Sequence, residues 1–297
     1  MHNSPSYRSG IQTMLASAAA FSIMGLFVKI ASQDLHPLQV VFFRSFFGLL
    51  IILGLLRHHR HSLIGREKKL MILRGVSGFL ALVLHFYTIK HLELGLAITL
   101  NYMAPIFVAL FSTTFLGEKP SGWFYPLLGS SFLGVMMMNL QHGFAWNPNI
   151  ALAMLSAVFA SVAYLTIRGI NDRESPYTVI FYFTAISTVG SLAFFPVWKW
   201  PMPMTWLYLI AIGIGSYYGQ FWLTTAMRKA PAWLVSPFIY LNPILSSLYG
   251  WIFFDEHGNI IFWLGLIVVI LSGMGISWMG TQHEINAGKW QTEKGQR

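Results

Sequence analysis

Cysteine is absent from this chain of 297 residues, and acidic side chains are scarce. Without cysteine there can be no disulfide framework, no thiolate nucleophile and no cysteine-ligated metal site. Asp and Glu together number 10, and charged residues make up 10% of the chain, whereas soluble domains carry roughly 25%. Hydrophobic residues make up 55%, and no soluble domain could hide so much apolar surface. The composition therefore predicts a membrane protein.

Sequence motifs of catalysis are also missing. The chain has no Walker loop, no cluster of metal ligands and no Ser/His/Asp spacing of a hydrolase, and its ten histidines are mostly isolated or grouped in one basic loop. We therefore expect no enzymatic activity, no metal and no cofactor. The net charge of +9 could indicate a nucleic-acid partner. Most of the cations lie in or next to the breaks between apolar runs, however, so no nucleic-acid partner is expected.

About ten apolar runs of membrane-spanning length alternate with short polar breaks. A spanning helix needs about 20 mainly apolar residues, and lipid offers no partners to the backbone, so these runs are predicted to be helices. The predicted fold class is an all-α membrane protein with ten transmembrane helices. The predicted spans are 10–31, 37–57, 70–90, 94–116, 122–140, 148–168, 176–198, 204–227, 232–254 and 260–280.

The basic residues favour one side of the predicted bundle. With the N-terminus in the cytoplasm, 15 Lys and Arg residues face inward and three face outward, as the positive-inside rule requires. Both termini are therefore predicted to be cytoplasmic, in a multi-pass protein of the bacterial inner membrane. The densest basic cluster, Arg57 to Arg74, is interpreted as a topology signal or, alternatively, as a surface for anionic lipid headgroups.

The chain carries one sequence pattern twice, about 138 residues apart. The first copy contains Lys29, Pro37, Phe43, Tyr102, Pro105, Phe115 and Glu118, and the second contains Arg168, Pro176, Tyr182, Tyr240, Pro243, Phe253 and Glu256. Spans 1–5 therefore correspond to spans 6–10. Because five is an odd number, the two halves are predicted to insert in opposite directions, as inverted repeats covering 10–140 and 148–280, with a cytoplasmic tail at 281–297. Secondary transporters use this architecture, with a site near the midplane.

The acidic residue that closes each copy, Glu118 or Glu256, is interpreted as an end-of-span residue. Such a residue orients helix termini and contacts neighbouring loops.

Two polar residues inside the predicted spans have no polar counterpart in the other repeat. Arg44 in span 2 aligns with Phe183, and His85 in span 3 aligns with Leu223. A charge inside the bilayer costs at least about 2.5–3.5 kcal/mol, so it normally has a partner. No Asp or Glu lies deep in any span, so Arg44 is paired either with carbonyls and Tyr hydroxyls or with an anionic group of a cargo. His85 is either a packing histidine or a residue that lines the site or becomes protonated.

Aromatic and amide side chains near the same depth complete the candidate substrate-binding set. A site for a metabolite is mostly apolar with a few placed polar groups, although each of these residues could instead face lipid or pack between helices. Besides Arg44 and His85, the candidates are Tyr87, Asn101, Tyr102, Tyr217, Gln220, Trp222 and Tyr240. Stripes of small and polar residues favour either close packing or a cavity, and we expect the site to be enclosed by spans 1, 3, 4, 6, 8 and 9.

The repeated motifs resemble those of a known family. The segments 100–105 and 115–118, with their echoes 240–243 and 253–256, are similar to the paired motifs of EamA domains. This resemblance covers nearly the whole chain and implies the drug/metabolite transporter superfamily. The segments 36–47 and 73–75 are more particularly similar to the subgroup that includes S-adenosylmethionine uptake carriers. Gly117 departs to Asp255 in the second copy, which leaves the role of that loop open.

The residues and the resemblance together give a first functional hypothesis. It is a secondary transporter that moves a small organic metabolite, amino-acid-like or nucleoside-like and carrying an anionic group, by alternating access. The alternatives are a flippase for a lipid-linked substrate and a non-transport membrane enzyme or assembly factor. The expected partners are the metabolite and membrane lipids. Substrate identity, import or export, coupling ion and oligomeric state stay open.

Overall fold

The computed structural model describes residues 4–58, 63–115, 122–140, 147–170, 174–193, 195–229 and 236–295. Regular structure within these ranges is helical, which confirms the predicted all-α class. The helices are α1 (Ser4–Asp34), α2 (Pro37–His58), α3 (Lys68–His91), α4 (Leu94–Asn101), α5 (Ala104–Phe115), α6 (Phe124–Asn139), α7 (Pro148–Ile170), α8 (Pro176–Leu192), α9 (Pro203–Lys229), α10 (Leu241–Phe254) and α11 (Ile260–Gly295). Short 3-10 helices at Phe195–Val197 and Ser236–Tyr240 precede α9 and α10.

Some of these helices have the length and composition of membrane spans. Four described segments are long and apolar enough to cross it by length and composition: Arg8–Asp34, Pro37–His58, Lys68–His91 and Pro148–Ile167. Five others are apolar but shorter: Leu94–Val108, Tyr125–Met138, Tyr177–Leu192, Phe238–Phe254 and Ile260–Ile276. Within the described residues, each predicted span overlaps a helix or a helix pair, and the last helix continues past the predicted end of span 10, to Gly295.

Four helices begin at a proline. Pro37, Pro148, Pro176 and Pro203 are the first residues of α2, α7, α8 and α9. Proline suits this position because the first N–H groups of a helix have no partner within the helix, and because the ring fixes φ near the helical value. The polar breaks between apolar runs thus end where the next helix can start.

Span 4 is divided into two helices, since the described part of the predicted span 94–116 forms α4 and α5. The chain turns at Tyr102 and Met103, between α4 and α5. Pro105 lacks an N–H, and a proline ring crowds the carbonyl four residues earlier, so an α-helix does not pass through this position unchanged. The N–H of Met103 instead donates to the carbonyl of Leu100 at 3.1 Å.

Span 9 changes geometry at the equivalent place. The 3-10 turn Ser236–Tyr240 passes into α10 two residues before Pro243. At its other end α10 stops at Asp255, whose φ of 58° is left-handed. Glycine is the usual residue in this conformation, and aspartate is one of the few others that tolerate it. The departure from Gly117 to Asp255 therefore falls on a residue that terminates a helix.

Contacts between connecting segments show which helix ends share a face of the bundle. On one face, the start of α2 meets the connection before α9, since Gln39 Nε2 donates to the carbonyl of Lys199 at 2.6 Å. The ends of α1 and α10 meet there too, through an ion pair between Lys29 and Glu256.

The opposite face carries the basic α2–α3 segment and is called the basic face. There, Glu174, which lies just before α8, accepts hydrogen bonds from the backbone N–H groups of Arg66 and Glu67, the latter at 2.8 Å. Helix α2 therefore starts on one face, and its repeat counterpart α8 starts on the other.

The contacts between helices agree with the correspondence of spans 1–5 to spans 6–10. Helix α1 packs on α9 and α3 on α7, while α2 contacts α8, α4 contacts α10 and α6 contacts α11. Exchanging each helix with its repeat counterpart leaves this set of pairs unchanged. Gly134 and Gly265 allow α6 and α11 to approach closely, since a Cβ on Gly134 would lie 2.8 Å from the carbonyl oxygen of Gly265. Such small-residue contacts are typical of membrane helices.

Large apolar side chains are exposed on the outside of the bundle, among them Val189, Ile252 and Leu271. Large contiguous apolar surfaces are rare on soluble monomers and mark contact with protein or membrane. The described structure is therefore that of a multi-pass membrane protein.

Candidate functional site

A cavity of about 100 Å³ lies at the junction of the two halves. Its walls are α2 and α3 from the first half and α8 and α9 from the second half. Among the candidate residues, it brings together Arg44, Tyr217 and Gln220, and it adds Arg74 and Phe183. The sequence predicts a site enclosed by spans 1, 3, 4, 6, 8 and 9. Of these, spans 3 and 8 line this cavity, together with spans 2 and 7.

Arg44 is buried in the cavity wall, with 4% of its surface exposed. Its Nε has no hydrogen-bond partner among the described residues, and its guanidinium carbon lies 5.1 Å from the centroid of the Phe183 ring. A guanidinium is attracted to an aromatic face, but a neutral ring does not cancel its charge. Phe183 is also the residue with which Arg44 aligns in the repeat. Arg44 therefore contacts the very residue that occupies its position in the second repeat.

Arg74 is a second buried cation in the same wall, and sequence analysis missed it. We assigned it to the basic cluster at the cytoplasmic end, whereas it lies in the second turn of α3 with 9% of its surface exposed. Its Nε also has no hydrogen-bond partner in the described ranges, and its guanidinium carbon is 4.5 Å from the Phe183 centroid. The one available signal was its spacing, since Arg74 shares a helical face with Gly78, Ala81 and His85.

Carboxylates do not balance these two cations within the described part of the chain. The acidic side chains described there lie near helix ends or in connections, and none lines the cavity. Polar but uncharged groups face the arginines instead, from Thr184 on α8 and from Ser216, Tyr217 and Gln220 on α9.

His85 is close to the cavity but is not part of its wall. Its ring lies 6.1 Å from that of Phe86, and its buried Nδ1 has no hydrogen-bond partner among the described residues. It is near enough to Arg44 for mutual electrostatic repulsion if both are charged. Its role in the site stays a prediction.

Two aromatic candidates lie away from the cavity. The ring of Tyr87 stacks on His91 at 4.2 Å, at the end of α3. Trp222 contacts Tyr218 at 5.2 Å on α9. Both contacts are with neighbours one turn away on the same helix.

The remaining candidates form a separate polar cluster where spans 4 and 9 change geometry. The rings of Tyr102 and Tyr240 lie 6.2 Å apart, and Asn242 Nδ2 donates to Tyr102 Oη at 2.8 Å. Asn101 Nδ2 donates to Ser156 Oγ at 2.9 Å. These bonds tie the two halves together, so the cluster fits the packing alternative and its substrate contacts stay a prediction.

A third polar group lies on the face opposite the basic face. The ammonium of Lys29 pairs with Glu256 and donates to the carbonyl of Leu92 at 2.8 Å, and Glu256 Oε2 accepts from the N–H of Leu94, the first residue of α4, at 2.7 Å. Glu256 thus orients a helix terminus, as the sequence predicted. Glu118, its counterpart, lies outside the described residues.

The sequence profile of the EamA-like transporter family matches residues 8–140 and 147–278. The chain belongs to the EamA-like transporter family. The family assignment made from the repeated Tyr-x-x-Pro motifs is therefore confirmed, and with it membership of the drug/metabolite transporter superfamily.

Named relatives of this EamA protein are transporters. It is 33% identical to the pseudopaline exporter CntI of Pseudomonas aeruginosa, over 91% of this chain and 96% of that protein. It is 24% identical to the S-adenosylmethionine uptake transporter of Rickettsia felis, over 90% and 94% of the two chains. A crystal structure that shares 17% identity matches with a TM-score of 0.68 over 93% of this chain and 98% of the other, which supports the fold.

Proposed function

We propose that this EamA protein is a secondary transporter that moves a small organic metabolite, amino-acid-like or nucleoside-like and carrying an anionic group, across the bacterial inner membrane by alternating access. Arg44 carries the proposal. It is a buried cation at the junction of the two halves, and in the described structure it faces an aromatic ring rather than a carboxylate.

The buried charge of Arg44 carries an electrostatic cost. A lone cation within the membrane is expensive, and charged residues there normally face a partner or a water-filled path. The carbonyl and Tyr hydroxyl partners considered for Arg44 do not bond its Nε. An anionic group of the cargo would supply the missing charge and two parallel hydrogen bonds in the geometry that guanidinium favours.

The proposed architecture is a pair of inverted repeats, over 10–140 and 148–280, followed by a cytoplasmic tail at 281–297. The exchange of helix pairs between the halves supports it, and so do the opposite starting faces of α2 and α8. In such folds the halves rock against each other around a site between them. A cavity walled by two helices from each half suits that motion.

The relatives support a small cargo without fixing its identity or direction. One is named as an exporter and the other as an uptake transporter. We therefore place the protein among metabolite carriers rather than enzymes, and leave import or export to experiment.

The test is transport by the purified full chain in proteoliposomes, after a thermal-shift screen of soluble metabolites has selected compounds that raise Tm. We expect the selected compound to exchange across the vesicle membrane. Movement of a fluorescent lipid-linked sugar between leaflets, with no transport of any stabilising soluble metabolite, would replace the carrier with the flippase alternative.

Orientation is tested separately. Cysteines introduced at Asn147 and Lys199, in a chain that has no native cysteine, should react with an impermeant thiol reagent from outside the cell. Reaction from the cytoplasm only would contradict the proposed orientation.

A further inference from the structure

We infer that the cavity is a two-arginine site for an organic dianion, in which Arg44 and Arg74 together bind a cargo that carries two negative charges. This inference rests on the proposed transport function and deepens it, because it assigns a second binding residue and a charge to the cargo. It starts from two buried guanidinium groups that share one aromatic ring.

The two arginines come from neighbouring helices of the same half, but they meet on a residue of the other half. Both guanidinium carbons lie near the ring of Phe183, at 5.1 Å for Arg44 and 4.5 Å for Arg74. They are therefore no more than about 10 Å apart, within the range of mutual repulsion in a medium less polar than water. Both face the same cavity, and each has an unbonded Nε in the described structure.

Charge balance then limits the ligand. Among the described residues, the site offers neutral polar groups such as Thr184, Ser216 and Gln220, so a single negative group would leave one of the two cations without a counter-charge. A dianion, such as a dicarboxylate or a phosphate monoester, would neutralise both. Two guanidinium groups also match the planar geometry of carboxylate and phosphate oxygens.

The backbone near Arg74 is shaped around its side chain. A Cβ on Gly78, one turn further along α3, would collide with Arg74 Nη1 and would lie 2.9 Å from the Phe183 ring. Glycine at this position therefore keeps space open for the second guanidinium. Gly48, which lines the cavity, is different, because a Cβ there would meet Thr184 Cγ2 at an ordinary 3.5 Å.

The first experiment measures binding against ligand charge. The purified full chain is titrated at constant ionic strength with butyrate, succinate and glycerol 3-phosphate, and binding is followed by the rise in Tm. We expect the two dianions to stabilise the protein at lower concentration than the monoanion. Arg74→Gln should weaken the dianions by roughly ten- to hundredfold, as expected for loss of a charged hydrogen-bonding partner, and should bring them to the level of butyrate.

The second experiment keeps both charges and moves one of them. Gly78→Ala should displace the Arg74 guanidinium and weaken succinate and glycerol 3-phosphate in the same way. Gly48→Ala adds a methyl group to the cavity wall without touching an arginine, and should leave the preference for dianions in place. The comparison of the two alanine variants thus separates disturbance of the Arg74–Phe183 contact from the addition of a methyl group to the cavity wall.

Three results would overturn the two-arginine site. One is equal stabilisation by butyrate and succinate, or by none of the three compounds. Another is an Arg74→Gln protein that retains the preference for dianions. The third is stabilisation by phosphatidic acid in detergent with no effect of the soluble dianions, since that would assign the cations to a lipid headgroup.

Failure of this inference can be told apart from failure of the transport function. If Arg74→Gln transports normally while Arg44→Gln does not, the cargo is held by one arginine and the carrier proposal stands. If neither variant changes transport, the carrier proposal loses its supporting residue as well.

Discussion

Cations within the helices of this transporter occur in two contrasting settings. Near one face, Lys29 has a carboxylate partner in Glu256, a carbonyl partner in Leu92 and an aromatic neighbour. In the cavity, Arg44 and Arg74 share one ring and face neutral groups. The first setting compensates its charge within the protein. We propose that the second setting leaves its charges to be compensated by a bound cargo.

The two settings also differ in how the repeat treats them. Lys29 aligns with the basic Arg168, and Glu256 aligns with Glu118, so the paired residue types occur in both halves. Arg44 and Arg74 align with Phe183 and Ile212, so the uncompensated cations belong to the first half alone. The charged residue types that occur in both halves therefore form the ion pair between helices. The arginines that occur in the first half alone line the candidate site.

Loss of the Lys29 ammonium should have the largest effect on stability. The Lys29→Met substitution leaves the carboxylate of Glu256 without its counter-charge in a mostly buried position, where removal of one partner costs about 3 kcal/mol or more. We expect a clear fall in Tm of the purified protein, measured in detergent by thermal unfolding.

A double variant provides the control for that prediction. Lys29→Met combined with Glu256→Gln removes both charges, so it should recover part of the lost stability. If Lys29→Met left Tm unchanged, the distinction between a compensated structural cation and an uncompensated binding cation would fail.

Replacement of Arg44 should give the opposite pattern. Arg44→Gln should lower transport about a hundredfold, the equivalent of a strong charged hydrogen bond, while Tm of the ligand-free protein stays the same or rises because a buried charge is gone. Arg44→Lys keeps the charge but loses the bidentate geometry, so transport should fall by a smaller factor.

Transport and Tm have to be measured on the same preparations of these variants. Parallel losses of both would make Arg44 a structural residue, like Lys29. A stable Arg44→Gln protein with unimpaired transport would remove Arg44 from the site altogether.

The sequence predicts the positions of the helices where a single local property determines them. Apolar length and helix-initiating residues such as Pro37 and Pro176 located the helices. The breaks at Tyr102 and Tyr240 were not predicted, because a proline inside an apolar run can either kink a helix or divide it. The neighbouring helices decide between these two outcomes. The local amino-acid sequence does not show which helices will pack around the proline.

The candidate site was only partly readable for a similar reason. Arg44 stands out because it is a charge within an uninterrupted apolar run. Arg74 lies six residues after the start of its helix, next to a basic loop, and so resembles a topology signal. Its burial depends on Phe183 and Gly78, and proximity to Phe183 comes from packing between the halves.

The Tyr102 cluster gives an intermediate test of the same comparison, because it is polar but uncharged. Tyr102→Phe keeps the ring and removes the hydroxyl that accepts from Asn242, a residue with 2% exposure. We expect a loss of about 1 kcal/mol in the free energy of unfolding, with unchanged cargo affinity. If Tyr102→Phe instead reduced the affinity for the cargo without lowering the free energy of unfolding, Tyr102 would be a substrate-binding residue.

The smallest expected effect concerns His36, a titratable residue at the Lys29 end, in the connection between α1 and α2. Partial burial lowers the pKa of His36, and the nearby Lys90 and His91 lower it further. Because its folded-state pKa lies below the unfolded value, the unfolded chain binds this proton more readily, and stability falls as pH drops through about 6.5. The wild-type protein should therefore lose Tm between neutral and mildly acid pH, and His36→Gln should lose less over the same range. Lys90→Gln should weaken the pH dependence without removing it, since burial is the larger cause. An identical dependence of Tm on pH for wild type and His36→Gln would show that protonation of His36 does not destabilise the protein. The charge of His36 would then be as well compensated as that of Lys29.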